Sequence, residues 1–505
     1  MTPAREFIRA GALGTNMKKT HPHPLFIMLT FLLLPVLSLH TIFAQTAAGL
    51  QTQSTLLPAW TSDGVDNGVD YGISVASAGD INGDGYADIV IGAQKYLVDG
   101  QRCGSAFVYL GGPGGLPDSA HSQLTNADPG TYFGNAVSGA GDVNGDGYDD
   151  ILIGASHYHL NSGYEGAVYL YTGSAEGISD QPVWTMVGPM GDAQFGYAVS
   201  SAGDVNGDGY DDILIGARNY SLQSSNEGAA FLYLGSPSGP QNTAIWQVTG
   251  AQTSALLGHA LAGLGDINHD GYADFVVSAP NFDQGELDTG LVMVFLGSKT
   301  GPSLSPTWSV TGIQVDERLG SAVASAGDVD GNGYTDLIVG ARGYDSGTIV
   351  DAGAAYLFYN TAGSFSPTAA WMTFSDQTYS GFGIAVAGFG DVNNDGYADV
   401  GVGAHRYSDD QPEEGFVFVY RGSSAGAEKT PYWSASGNKA ETQFGYAISA
   451  AGDVNADERD DLLIGAPIYK RDEKTVMGRA YSFYGIAAGD VIQHTVFLPA
   501  IQNNP

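Results

Sequence analysis

The chain of 505 residues holds a single cysteine, Cys103, so no intramolecular disulfide can form, and an exported protein of this size must be held together in some other way. Basic residues are scarce too: 19 Lys and Arg stand against 54 Asp and Glu, for a formal net charge of −35. So acidic a surface excludes nucleic acid and anionic membranes as partners. Beyond the leader no second long apolar run occurs, so no transmembrane segment is expected in the mature chain. No stretch carries a helical period with caps, which points away from α-helical folds.

The one long apolar run, LFIMLTFLLLPVLSL at 25 to 39, follows a basic segment (Arg5, Arg9, Lys18, Lys19) and precedes TIFAQT. That is the grammar of a secretory signal over residues 1–44 with a cut after Ala44, and Met17 is an alternative start. Read as a retained anchor, the run is short of the ~20 residues needed to cross a bilayer and contains a proline. No cysteine stands directly after the cut, so a lipid anchor is not expected. The product is expected to be secreted or at the cell surface, with a linker at 45–55 and a tail at 499–505.

What the sequence has in abundance is one phrase, GDVNGDGYDD at 141–150, written with small changes seven times. Its first aspartate falls at Asp80, Asp142, Asp204, Asp266, Asp328, Asp391 and Asp453, at intervals of 62 residues with one of 63. Such regularity means a repeat array. Nine residues before each aspartate stands an aromatic or leucine followed by glycine, at 71, 133, 195, 257, 319, 382 and 444, and a GA or SA pair follows the loop. Each unit contains four short strands by period-two alternation and β-branched or aromatic enrichment; in the third these are YAVSSAG, DILIGA, AAFLYLG and AIWQV.

Four strands in each of seven units predict an all-β fold, a seven-bladed β-propeller of four-stranded antiparallel blades over 56–498. A linear solenoid is the alternative, but 62 residues exceed the usual solenoid unit. All six tryptophans, Trp60, Trp184, Trp246, Trp308, Trp371 and Trp433, fall in the phase of the fourth strand. Trp60 precedes the first unit, so residues 56–62 are expected to complete blade 7. The competitor for that place is the tail segment HTVFLPA at 494–500.

Numbering each loop from its first aspartate exposes a ligand pattern. Position 3 is Asn82, Asn144, Asn206, Asn268, Asp330, Asn393 or Asn455, and position 5 is Asp84, Asp146, Asp208, Asp270, Asn332, Asp395 or Asp457. Position 9 is always aspartate: Asp88, Asp150, Asp212, Asp274, Asp336, Asp399 and Asp461. Position 7, contributing its carbonyl, is Tyr86, Tyr148, Tyr210, Tyr272, Tyr334, Tyr397 or Arg459. In the fifth copy Asp330 and Asn332 exchange residue types, yet the count of three carboxylates is kept.

Three carboxylates, an amide and a carbonyl form an all-oxygen cage suited to a hard divalent cation, Ca²⁺ rather than Mg²⁺ by ligand number. Glycine at position 6 permits the positive φ that folds the chain round an ion. An EF-hand is excluded, because position 12 is Ile91, Ile153 or Ile215 where that loop needs Glu. Metal-free Asx-turns are the alternative, opposed by the mutual repulsion of carboxylates packed so closely. The expectation is one structural Ca²⁺ per blade, up to seven, with the blade 7 site weakest because Glu458 replaces the glycine.

The run of FG, then D-x-N-x-D-G-x-x-D, then GA or the GAP of IGAP at 464–467, resembles the FG-GAP repeat family and is similar to the N-terminal β-propeller of integrin α subunits. The resemblance implies a seven-bladed propeller, calcium in the loops joining strands 1 and 2, and roles in adhesion or extracellular ligand binding. In integrins only some blades hold calcium, whereas all seven loops here keep the ligand set. Leg domains, a transmembrane segment and an inserted metal-binding domain are not found, so a heterodimeric signalling receptor is not expected and the chain is expected to be monomeric.

Calcium would occupy the face bearing the strand 1–2 turns, leaving the strand 2–3 and 4–1 turns for recognition of a protein or glycan. A repeated aromatic in the 2–3 loops (Tyr96, Tyr158, Tyr220, Phe282, Tyr344, Tyr407, Tyr469) is expected to pack round the central shaft. The off-pattern residues His157, His159, Arg218, Arg342, His405, Arg406, Lys470 and Arg471 are the candidate ligand-binding groups, suited to acidic sugars or carboxylates. An enzyme acting on extracellular polysaccharide, a lyase or hydrolase, is the alternative, as is a structural role in a cell-surface layer. No nucleophile motif and no acid/base pair at readable spacing supports catalysis, so no enzyme activity is expected.

Overall fold

A computed structural model describes residues 57–486 apart from 127, 161, 162 and 473. The leader, its cut, the linker 45–55 and the segment 494–505 lie outside the described residues. Those described form seven four-stranded antiparallel sheets and two small two-stranded hairpins, with no helix among them. The innermost strands run Tyr71–Gly79, Phe133–Gly141, Phe195–Gly203, Leu261–Gly265, Leu319–Gly327, Phe382–Gly390 and Ala447–Gly452. Each packs on the next and the last on the first, so the sheets close as the blades of a propeller.

Burial explains how each strand reads in sequence. The second strands, such as Asp212–Ala217, are buried at every residue because neighbouring blades cover both faces. They therefore appear as unbroken apolar runs, DILIGA or DLIVGA, and not as alternation. The inner strands alternate imperfectly, with buried residues spaced around half-buried ones. Cores form between blades: Leu152, Leu170 and Trp184 of blade 2 share one cluster with Ile213, Ile215 and Phe231 of blade 3.

The two glycines of the repeated motif have a common cause. A Cβ on Gly216, in the GA of blade 3, would lie 2.1 Å from the carbonyl of Gly258, the glycine that opens blade 4. The same approach recurs between Gly92 and Gly134 and, across the closure, between Gly465 and Gly72. Blades pack backbone on backbone at these points, so a side chain there would push them apart.

The ring is closed by the N-terminal strand. Trp60–Asp63 pairs antiparallel with Arg479–Phe483, setting Trp60 opposite Ser482 and Asp63 opposite Arg479. Arg479 forms an ion pair with Asp63 and lies over the Tyr469 ring at 3.8 Å. The Trp60 indole, 6% exposed, packs edge-on to Tyr109 of blade 1 and donates its Nε1–H to the carbonyl of Pro117 at 2.9 Å. Trp246 and Trp371 make the same donation to Ser303 and Glu428 of the following blades. The closure is thus built like the internal joints.

Truncation of Trp60 removes both the contact with blade 1 and the hydrogen bond. Trp60→Ala is expected to cost about 3 kcal/mol, the low end for a buried indole. Chemical denaturation of the purified chain measures it, and a loss below ~1 kcal/mol would mean that the strap does not hold the ring.

Candidate metal centre

Each inner strand ends in a nine-residue loop whose last residue, the position 9 aspartate, opens the second strand. All seven of these carboxylates are fully buried, at 0% exposure. In blade 1, Asp88 Oδ2 accepts the amide of Ile81 within the loop at 2.9 Å, and Oδ1 accepts that of Gly111 after the third strand at 2.8 Å. The second bond recurs in every blade, to Gly173, Gly235, Gly297, Asn360, Gly422 and Gly485. One side chain thereby fastens the strand 1–2 loop to the strand 3–4 turn.

Burial raises these carboxyls, with further repulsion from the aspartates of the same loop, against the lowering effect of the two amides. Six are pushed up to about 7 and Asp399 to about 8. The position 1 carboxylate is the pivot of the turn: Asp80 Oδ1 accepts the amides of Gly83 and Asp84, and Oδ2 that of Gly85. Such wrapping needs positive φ at positions 4 and 6, found at 72° for Gly83 and 87° for Gly85. Blade 7 meets the same demand with Ala456 at 57° and Glu458 at 66°, where side chains are strained.

The structure brings three carboxylates within 4.8 Å of one another, among the described residues, in one loop: Asp328, Asp330 and Asp336 of blade 5. This narrows the expectation that three converge in every copy. In blades 1 to 4 the position 5 carboxylate is drawn aside; Asp84, for example, accepts Asn82 Nδ2–H at 2.9 Å and the Tyr86 amide at 3.0 Å. The exchange in blade 5 has a local cause as well. Asn332 Nδ2 donates to the carbonyl of Asn360 at 2.9 Å, a bond that an aspartate there could not make.

The donor set fits a hard divalent cation on structural grounds. All its groups offer oxygen, the buried position 9 carboxylates face the like charges of their own loops, and the amide oxygens of Asn393 and Asn455 are buried without a partner. Blade 7 differs, because the Arg459 guanidinium approaches Asp457 to 3.4 Å and sets a positive charge in the loop.

Two roles escaped the sequence reading. Position 8 is Asp149, Asp211 and Asp460 in blades 2, 3 and 7, and each accepts the amide of the position 1 aspartate one blade earlier, as Asp149 does from Asp80 at 2.8 Å. The signal was an extra acid outside the ligand positions. The position 7 tyrosines, chosen for their carbonyls, also lay their rings over position 4 of the preceding loop. A Cβ on Gly207 would meet the Tyr272 ring at 2.8 Å, and His269 stacks on Tyr334 at 4.5 Å.

On the opposite face the basic candidates separate. Arg342, His405 and Arg406 line one cleft of about 190 Å³. Arg218 lies 3.6 Å over the Tyr197 ring, and His157 packs between Tyr132 and Tyr164. His159 is exposed, Lys470 pairs with Glu441, and exposed Arg471 sits on the Lys470–Asp472 hairpin, all away from the cleft lining. The repeated loop aromatics do not line the shaft as expected: Tyr96, Tyr220 and Tyr407 pack on Phe107, Phe231 and Phe416 of the third strands.

Fold and loops together define a seven-bladed propeller with an aspartate-centred turn in every blade. The FG-GAP repeat model matches residues 71–109, 133–171, 195–233, 257–295, 319–358 and 444–482. The chain carries six FG-GAP repeats, and its propeller resembles that of integrin α subunits. It is 30% identical to integrin alpha-5 of Xenopus laevis over 254 residues, 48% of this chain and 23% of that protein. Against integrin alpha-3 of Cricetulus griseus it is 32% identical over 221 residues, 43% and 20%; against integrin alpha-IIb of Mus musculus, 38% over 171 residues, 32% and 16%. The matched segments span a quarter or less of these relatives' length. Blade 6 is a full sheet in the structure although the family model leaves it unmatched.

Two outcomes follow from the loop geometry. Because the position 9 carboxyls have a folded value near 7 against about 4 unfolded, they take up protons on folding. Their stabilisation is complete below pH about 4 and is lost as pH rises through 7. In chelator the melting temperature should therefore fall from pH 5 to pH 8; a flat or rising profile contradicts the reading. Glu458→Gly should relieve the positive-φ strain and stabilise the protein by about 1 kcal/mol, measured by denaturant titration, and a destabilised variant would refute it.

Proposed function

We propose that the protein is a secreted or cell-surface calcium-binding β-propeller that mediates adhesion or recognition of an extracellular protein or glycan. The observation that carries the reading is the loop architecture repeated in every blade, each with a buried aspartate at its centre, in a chain whose relatives are integrin α subunits. Positions 1, 3, 5 and 9, with the position 7 carbonyl, would hold Ca²⁺, one per blade and most weakly in blade 7. When bound, the ion neutralises crowded carboxylates and, by binding only the folded loop, stabilises the ring by mass action. No helix among the described residues is long and apolar enough to cross a membrane. With calcium used for folding on one face, recognition falls to the other, and no catalytic role is assigned.

The test is a screen of the purified chain against glycans and matrix proteins in calcium and again in EDTA, with a thermal melt alongside. Specific binding that disappears together with the fold in EDTA is the expected result. Absence of any binding while calcium still raises the melting temperature would remove the recognition role and leave only the metal.

A further inference from the structure

The mouth of the shaft opposite the carboxylate loops runs against the charge of the molecule. In a chain of net charge −35, residues from adjacent blades bring Arg318, Arg342 and Arg406 to one cleft between blades 5 and 6. The residues that follow each GA pair lead into this region: Arg218 in blade 3, Arg342 in blade 5, His405 and Arg406 in blade 6. Residues that follow the FG or LG pair join them, and Tyr446 of blade 7 stands edge-on to His405 at 5.6 Å. Tyr197 and His259, of blades 3 and 4, face each other at 5.3 Å.

These groups are only partly satisfied from within: Arg218 donates to Gln194 Oε1 at 2.8 Å, and the charges of Arg318 and Arg342 act on the Asp351 carboxyl. The Nε–H of Arg318 and of Arg342 and the Nδ1 of His259 are buried without a hydrogen-bond partner. Asp316 answers Arg318 at 3.6 Å, but among the described residues neither Arg342 nor Arg406 has an ion pair. Burial and the nearby Arg318 and Arg218 together weaken the hold of Arg342 on its proton. A guanidinium left half-buried and unpaired is costly, and a chain with 54 acids had ample means to pair it. Around the cleft stand two further groups: Asp351 on the wall and Tyr379, 60% exposed, at the rim. Gly381 leaves the space filled by the His405 ring, since a Cβ there would meet Nδ1 at 2.3 Å.

We infer that this cleft binds the carboxylate of an acidic sugar, with Arg342 and Arg406 holding the carboxylate, Asp351 accepting from a ring hydroxyl and the Tyr379 ring covering the apolar face of the pyranose. A planar carboxylate suits the two-pronged guanidinium, and an exposed aromatic beside a hydroxyl acceptor suits a sugar better than an acidic peptide. This inference rests on the recognition reading and names the chemistry of its ligand.

The experiment is calorimetric titration of the full chain in calcium with three probes: a tetrasaccharide of alternating glucuronic acid and N-acetylglucosamine, its carboxyl-reduced form, and hexaglutamate. Expected are binding of the acidic tetrasaccharide and at least tenfold weaker binding of the reduced one. Arg342→Gln and, at an exposed position that does not threaten folding, Arg406→Gln should each weaken the acidic sugar by tenfold or more with unchanged calcium-dependent melting. Equal affinity for both tetrasaccharides, or variants that bind as the parent does, would overturn the site. Binding of hexaglutamate without the sugar would overturn the sugar assignment. Retention of some other glycan or protein by both variants would refute this cleft while leaving the recognition role standing.

Discussion

The structure hangs on one buried carboxylate per blade. The position 9 aspartate is withdrawn from water, and its two oxygens hold amides from different segments: the loop it belongs to and the turn after the third strand. A charge so placed is expensive unless it is matched. Two backbone amides meet part of that cost, and the loop's other oxygens are arranged where a divalent cation would meet the rest. The group that makes the apo loop unfavourable is the group that would make the ion-bound loop rigid.

From this point the order spreads round the ring. The loop's position 2 carbonyl accepts an amide from the strand 3–4 turn of the next blade, as Ile81 does from Ser174 and Val143 from Ser236. In blade 5 the Asn360 side-chain amide takes that place, donating to Ile267. The closure is no exception, since Gly112 donates to Val454 across the junction of blades 1 and 7. With close glycine contacts on one side of the blades and tryptophan donations at the rim, neighbouring blades are joined at several radii. A chain with one cysteine is thus held by repeated joints of one kind.

Much of this was legible in the sequence because each repeat must make the same contacts as its neighbours. The spacing of the aspartates gave the blade count, the buried second strands stood out as apolar runs, and the phase of Trp60 pointed to the outer place in blade 7, where Trp60–Asp63 lies in the structure. What a repeat does to the next repeat was less visible. Position 8 reads as a variable surface residue until Asp149 is seen to hold the amide of Asp80, 69 residues away. The loop aromatics could be read as packing residues but not as partners of the third strand, because pattern alone does not say which way a loop turns. The cationic cleft was harder still, since Arg318, Tyr379 and Asp351 come from loops with no shared phase and meet only where blades 5 and 6 pack together.

The central claim, that the buried aspartates serve a calcium cage in each blade, is tested most directly by a crystal structure grown in calcium with the ions located by anomalous scattering. The account predicts ions in the strand 1–2 loops within about 2.3–2.6 Å of oxygens from positions 1 and 9, with blade 7 the least occupied. Loops that fold without any ion at saturating calcium, or ions bound away from these aspartates, would contradict it.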